Sequence, residues 1–123
     1  MAIVRVLVVD DQAAFLRALT SVVQETPGFE VAGEASSGEE TLVVGAELLP
    51  DLVLMDVNLP GIDGLEATRR LLGRDYPPVV LLLSTYDEDA GEYFVAKSGA
   101  AAYVTKSAFG PDLLEEAWST AVR

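Results

Sequence analysis

The chain has 123 residues, half of them hydrophobic, which is enough for one buried core and excludes a disordered chain. It contains no cysteine and no histidine, which excludes disulfides, a thiolate nucleophile and the usual zinc sites. A net charge of −12, from 20 acidic and 8 basic residues, disfavours direct binding to nucleic acid or anionic membranes. We therefore expect one domain, residues 1–123, whose chemistry uses carboxylates, hydroxyls, lysine or a metal ion.

Short apolar runs alternate with segments of helical periodicity along the whole chain. The predicted elements, in chain order, are a strand at 3–9, a helix at 12–25, a strand at 29–35, a helix from Ser36 to about Leu49, a strand at 52–55, a helix at 65–72, a strand at 79–83, a helix from Asp87 to about Lys97, a strand at 101–104 and a last helix from Pro111. Such alternation favours parallel strands joined by right-handed crossovers. We expect an α/β fold, a doubly wound five-stranded parallel sheet of flavodoxin-like order 2-1-3-4-5.

Polar residues follow four of the predicted strands, and these four strands are neighbours in the expected order. Asp10 and Asp11 end the first strand, Asp56 follows the third, Ser84 and Thr85 the fourth, and Lys106 the fifth. Ligands bind beyond the carboxyl ends of strands in open α/β sheets. Three close carboxylates repel one another unless a cation lies among them, and Mg²⁺ prefers oxygen ligands. With a hydroxyl and a lysine nearby, these groups suit the binding of a phosphoryl oxygen.

With these motifs, the chain resembles the receiver domains of bacterial two-component response regulators over nearly its full length. The resemblance rests on the segments 8–11 (VVDD), 54–64 (LMDVNLPGIDG), 83–85 (LST) and 103–106 (YVTK). It implies the receiver (βα)5 fold and a phosphorylation-dependent signalling role. The residues 83–87 are similar to those of the NarL/FixJ-like subfamily, whose output is a helix-turn-helix domain.

The resemblance implies a role for each polar residue of the motifs. Asp56 would be the phospho-acceptor, and Mg²⁺ would be held by Asp11 and Asp56 side chains and by the backbone carbonyl of Asn58. Asp10 would act mainly through a metal-bound water. Lys106 would pair with the Asp56 carboxylate before transfer and with the phosphoryl group afterwards.

Two further residues would carry the signal away from the site. Ser84 would move to bond a phosphoryl oxygen, and Tyr103 would then turn inward, changing the surface of helix four, strand five and helix five. Tyr103 is equally consistent with simple packing. Ser107 stands where the family often has a proline, which many NarL/FixJ-type regulators also lack. Thr85 is larger than the usual residue, so it could restrict access to the phosphoryl group.

Other interpretations of these residues stay open at this stage. Asp10 and Asp11 could cap the first helix, Asp56 could be a turn residue, and Lys106 could be a solvated surface lysine. An acid phosphatase or a haloacid dehalogenase-like phosphotransferase also uses a nucleophilic aspartate after a strand, but it needs a second acid where Asn58 stands. A flavodoxin-like electron carrier needs a glycine-rich phosphate loop after strand one, and a degenerate receiver would act only as a protein-binding module.

The expected partner is a sensor histidine kinase, with a homodimer possible on phosphorylation. DNA would be contacted only through a domain that is not in this sequence. We expect no membrane contact and a cytoplasmic location, because no apolar run approaches the roughly 20 residues that span a bilayer. The chain assists its own phosphorylation but is not expected to be an enzyme that turns over a free substrate.

Overall fold

The structure is a computed structural model that describes residues 2–123, and it contains five strands and five α-helices. The strands are β1 (Val4–Val9), β2 (Phe29–Ala35), β3 (Leu52–Asp56), β4 (Val79–Ser84) and β5 (Ala102–Thr105). The helices are α1 (Ala13–Glu25), α2 (Gly38–Leu48), α3 (Gly64–Leu72), α4 (Gly91–Ser98) and α5 (Pro111–Ala121). Within residues 2–123, no helix combines the length and the apolar content that crossing a membrane requires.

All five strands are parallel and form one sheet in the order β2-β1-β3-β4-β5, which confirms the predicted topology. Every residue of β3 is buried, as are the last residues of β1 and most of β4. Strands covered on both faces read as continuous apolar runs, which is why their positions were evident in the sequence.

Alternate residues of each central strand point to opposite faces of the sheet and into two separate cores. Leu7, Val53 and Leu82 belong to the core under α2, α3 and α4, together with Leu71 of α3. The opposite core, under α1 and α5, contains strand residues such as Val8 and Leu54 and the helix residues Leu19, Val23 and Leu114. The two cores fix the carboxyl ends of β1, β3, β4 and β5 along one edge.

The predicted start of the fourth helix at Asp87 is wrong. Residues Glu88–Ala90 form a single 3-10 turn, and the α-helix begins at Gly91. The Asp87 side chain makes no capping hydrogen bond, and three consecutive exposed acids offer no apolar residue to bury. The first residue of this helix, Gly91, allows a close approach to Tyr103, since a Cβ there would lie 2.9 Å from the Tyr103 ring.

Another glycine closes the β3–α3 loop against the end of β3. The Gly64 N–H donates to the Val57 carbonyl at 2.9 Å, and a Cβ at Gly64 would overlap the carbonyl oxygen of Asp56. This contact is with backbone, which cannot rotate away as a side chain can. Gly64 therefore allows helix α3 to start directly beside Asp56.

We expect Gly64→Ala to lower the free energy of unfolding by about 1–3 kcal/mol, because the added methyl group overpacks a fixed backbone. Urea denaturation followed by circular dichroism measures this change. Gly73→Ala is the matched control, because a Cβ there meets its nearest atoms at an ordinary 3.6 Å. Equal losses in the two variants would contradict this explanation.

Candidate functional site

Hydrogen bonds that continue the sheet ladders beyond the strand ends position the polar residues. The Asp10 N–H donates to the Ala35 carbonyl at 3.1 Å, and the Lys106 N–H donates to the Ser84 carbonyl at 2.9 Å. Between them, the Val57 N–H donates to the Leu83 carbonyl at 3.0 Å and fixes the chain directly after Asp56. The residues that follow β1, β3 and β5 are thus held by backbone contacts.

Three carboxylates meet at this edge of the sheet. Oxygens of Asp10, Asp11 and Asp56 all lie within 4.8 Å of one another, although Asp10 and Asp56 are buried and Asp11 is exposed. Helix α1 has its N-cap at Gln12 and no side-chain capping bond, so the described structure gives no support to Asp10 and Asp11 as helix caps. Asp10 Oδ1 and Asp56 Oδ1 instead accept from the N–H groups of Gln12 at 2.9 Å and Asn58 at 3.3 Å.

Lys106 is the cation of the site. Its ammonium lies 2.7 Å from Asp10 Oδ2 and 3.5 Å from Asp56 Oδ1, and only 7% of its side chain is exposed. The shorter contact is therefore with Asp10, whereas the resemblance to receiver domains implies a pairing of Lys106 with Asp56. Lys106 is also not the solvated surface lysine considered as an alternative.

The charges and donors at this cluster fit a divalent cation. Three carboxylates and one ammonium leave two negative charges uncompensated if all the acids are ionised. Asp10 Oδ2 is buried and, apart from its ion pair with Lys106, has no hydrogen-bond partner among the described residues. Hard divalent cations take oxygen ligands of this kind. The cluster is therefore a candidate site for such an ion.

The pKa of the Asp56 carboxyl is raised from 3.8 to about 6, first because burial disfavours its charged form and second because Asp10 repels that charge. The nearby ammonium of Lys106 and the hydrogen bond from the Asn58 N–H act in the opposite direction without cancelling the rise. Ionisation of Asp56 is therefore less favourable in the metal-free protein than that of an ordinary aspartate.

We expect Asp56→Asn to raise the free energy of unfolding of the metal-free protein at pH 7 by about 1–3 kcal/mol. Because the folded-state pKa is raised, the stabilising contribution of this carboxyl is complete below its unfolded pKa of 3.8 and is lost as the pH rises through about 6. The increase in the free energy of unfolding caused by Asp56→Asn should therefore shrink towards zero at pH 4. Urea denaturation in EDTA at both pH values measures it.

Asp75→Asn serves as the control for that measurement, because Asp75 is an exposed acid on the loop after α3. Its effect should be small at either pH. A destabilised Asp56→Asn variant at pH 7 would contradict the expected pH dependence.

The cluster opens into a cleft of about 190 Å³. Its lining consists of Asp11, Gln12, Phe15, Asp56, Asn58, Thr85 and Lys106. Pockets that hold drug-sized molecules usually measure about 300–1,000 Å³. This cleft therefore suits an ion and a phosphoryl group rather than a larger substrate.

Ser84 and Tyr103 lie behind the cleft and not on its surface. Ser84 is fully buried, and its Oγ accepts from the Tyr86 N–H at 3.3 Å. The Tyr103 hydroxyl donates to the Tyr86 carbonyl at 2.6 Å, and its ring lies 5.5 Å from the ring of Phe94. Burial raises the pKa of the Tyr103 hydroxyl, so it remains a donor at neutral pH. Both side chains thus hold the segment between β4 and α4, and their movement on phosphorylation stays a prediction.

Two residues near the site were not recognised from the sequence. Phe15 has the helical spacing of an apolar residue of the first helix, but it lines the cleft. No helical spacing relates Phe15 to Asp11, because Asp11 precedes the N-cap Gln12 and lies outside the helix. Glu39, in the first turn of α2, accepts from the Ile62 N–H at 3.2 Å and so secures the β3–α3 loop. No local pattern in the sequence connects Glu39 to that loop.

Comparison with known proteins identifies the family of the chain. The family model described as the response regulator receiver domain matches residues 6–118. The chain belongs to this family. The resemblance seen in its motifs is thereby confirmed, and the chain is the receiver domain of a response regulator.

Several relatives of this receiver domain are full-length response regulators. It is 46% identical over 106 residues to the response regulator GacA of Pseudomonas viridiflava, covering 85% of this chain and 49% of GacA. It is 33% identical over 112 residues to the transcriptional regulatory protein LiaR of Bacillus subtilis, covering 91% of this chain and 53% of LiaR. The chain therefore spans about half the length of the curated relatives it matches.

Solved receiver structures share the fold closely. A two-component response regulator of the LuxR family from Aurantimonas sp. SI85-9A1 is 29% identical, with a TM-score of 0.86 over 98% of this chain and 86% of that protein. The signal receiver domain of NarL from Mycobacterium tuberculosis is 28% identical, with a TM-score of 0.86. This match covers 99% of this chain and 98% of that domain. The receiver domain is thus similar to members of the LuxR and NarL group.

Proposed function

We propose that the receiver domain accepts a phosphoryl group on Asp56 from a histidine kinase in the presence of Mg²⁺. The observation that carries this proposal is the setting of Asp56: it is buried beside two further carboxylates, 3.5 Å from an ammonium, in a cleft of phosphate size. Family membership supports the same assignment.

In the proposed transfer, a carboxylate oxygen of Asp56 forms a bond to phosphorus while the phosphorus–nitrogen bond of a phosphohistidine breaks. The leaving imidazole takes the electron pair of the broken bond and one proton from solvent. Charge on the transferred phosphoryl oxygens must be neutralised, because phosphoryl transfer depends mainly on positioning and electrostatic stabilisation. The Lys106 ammonium supplies a fixed positive charge beside the acceptor oxygen.

Mg²⁺ would be held by the side chains of Asp11 and Asp56 and the backbone carbonyl of Asn58, with Asp10 acting through a water molecule. When bound, the ion supplies positive charge that neutralises phosphoryl oxygens. The excess of carboxylates over ammonium groups in the cluster, and the burial of Asp10 and Asp56, support this assignment.

The output of this receiver is proposed to pass through the surface formed by α4, β5 and α5. Ser84 would move towards the phosphoryl group, releasing the segment whose Tyr86 it now contacts, and Tyr103 would follow. By similarity to LiaR and GacA, of which the chain matches about half, the signal would control transcription through a DNA-binding domain outside this sequence. Phosphorylation would also favour a homodimer.

We expect incubation with phosphoramidate and Mg²⁺ to add one phosphate group per chain, as measured by intact mass. Asp56→Asn should abolish the adduct because it removes the nucleophilic oxygen, and EDTA should suppress it. Asp75→Asn should be phosphorylated like the wild type, because this acid lies outside the cleft. An adduct that persists in Asp56→Asn would contradict the assignment of the acceptor.

We expect Mg²⁺ at about ten times its dissociation constant to stabilise the wild type by about 1.4 kcal/mol, which raises the melting temperature by roughly 5 °C. Asp11→Asn should lose most of this rise, because it removes an exposed ligand from the cluster. Differential scanning calorimetry measures both proteins, with Asp75→Asn as the control. The same rise in Asp11→Asn would show that the ion binds elsewhere.

A further inference from the structure

Phe15 has an unusual position for an aromatic residue of an amphipathic helix. It lies in the first turn of α1 and is partly buried, yet it belongs to neither of the two cores of the described structure. The helix packs on the sheet through other residues, among them Leu16, Leu19 and Val23. Packing of α1 therefore does not account for an aromatic ring at this position.

The ring of Phe15 instead covers the ammonium of Lys106. The Lys106 Nζ lies 4.1 Å from the ring centroid, well within the range of about 6 Å over which a cation is attracted to an aromatic face. The same nitrogen lies 2.7 Å from Asp10 Oδ2 and 3.5 Å from Asp56 Oδ1. Two carboxylates and one ring thus surround a side chain that is only 7% exposed.

These contacts differ in how they respond to changes in the charge of the site. The attraction of Lys106 to Asp10 and Asp56 weakens when either carboxylate is neutralised by a proton or a metal ion, whereas phosphorylation of Asp56 replaces its carboxylate with a group of greater negative charge. The attraction to the Phe15 ring depends on a fixed quadrupole and does not change with these events. The ring is therefore the constant restraint on the ammonium throughout phosphorylation.

We propose that Phe15 is a positioning residue for phosphoryl transfer, whose ring face holds the Lys106 ammonium beside Asp56. This inference rests on the function proposed above. It assigns to Phe15 an electrostatic role towards Lys106, in addition to the space that the side chain fills.

The first test separates ring electrostatics from ring size. Phenylalanines carrying one, two or three fluorine atoms are incorporated at position 15 alone, since fluorine weakens the negative ring face with little change in shape. The rate of phosphate addition from phosphoramidate at saturating Mg²⁺ is followed by intact mass. We expect the logarithm of the rate to fall steadily with each fluorine, and Phe15→Leu to be slower than the wild type by about three- to tenfold.

Two variants serve as controls for this series. Phe15→Trp restores a strong ring face, so its rate should stay close to that of the wild type. The same fluorinated residues at Phe29, which contacts Trp118 rather than the cleft, should leave the rate unchanged. A rate independent of fluorination at position 15, or full activity in Phe15→Leu, overturns the proposal.

The second test needs neither metal nor phosphodonor. The chain has only two lysines, Lys97 and Lys106, so a Lys97→Arg background leaves a single set of lysine signals. In metal-free protein we expect the ε-methylene protons of Lys106 to resonate upfield in the NMR spectrum, because they lie near the ring face, and to lose this shift in Phe15→Leu. If the Lys97→Arg protein that retains Phe15 shows no upfield shift, the contact between Phe15 and Lys106 is overturned.

The two tests distinguish failure of this inference from failure of the proposed function. If the wild type forms no adduct at Asp56 with Mg²⁺ although the NMR shift is present, the function is wrong and the positioning role falls with it. If the wild type is phosphorylated at Asp56 but the fluorinated series is flat, only the role of Phe15 is wrong.

Discussion

The crowding of three carboxylates at one edge of the sheet, two of them in contact with a buried ammonium, is the constraint on which the rest of this receiver depends. Asp10 and Asp56 are almost completely removed from water, and Lys106 contacts both of them. Such an arrangement lowers the stability of the fold unless the remaining negative charge is compensated or one acid is protonated. The site is therefore sensitive to anything that brings positive charge, including a metal ion, to this edge of the sheet.

The fold maintains this unfavourable cluster because its position is set by the sheet and not by the side chains themselves. Ladder hydrogen bonds hold Asp10 against β2, Val57 against β4 and Lys106 against the end of β4. Two apolar cores anchor the same strands from both faces. Ionised acids thus reduce stability without displacing the backbone, which is the usual relation between a functional site and the structure that supports it.

The surroundings of the cleft connect it to the rest of the molecule through a few contacts of different kinds. Phe15 covers Lys106 from α1, whereas Glu39 of α2 secures the loop that carries Asn58. Behind the cleft, Ser84 and Tyr103 both contact the backbone of Tyr86. A change at Asp56 that draws Ser84 forward would disturb the contacts that place Tyr86, and so the start of α4.

The sequence by itself determined the two-sided burial and the strand ends that carry Asp10, Asp11, Asp56 and Lys106, because hydrophobic periodicity and strand ends are local properties of a chain. The strand order followed from the alternation of strands and helices, because few topologies accommodate it. Only the tertiary structure decided that Lys106 lies closer to Asp10 than to Asp56. It also decided that Phe15 faces the cleft and that α4 begins at Gly91. These three features depend on distances between segments that are far apart in the chain. Neither hydrophobic periodicity nor the spacing of residues encodes such distances.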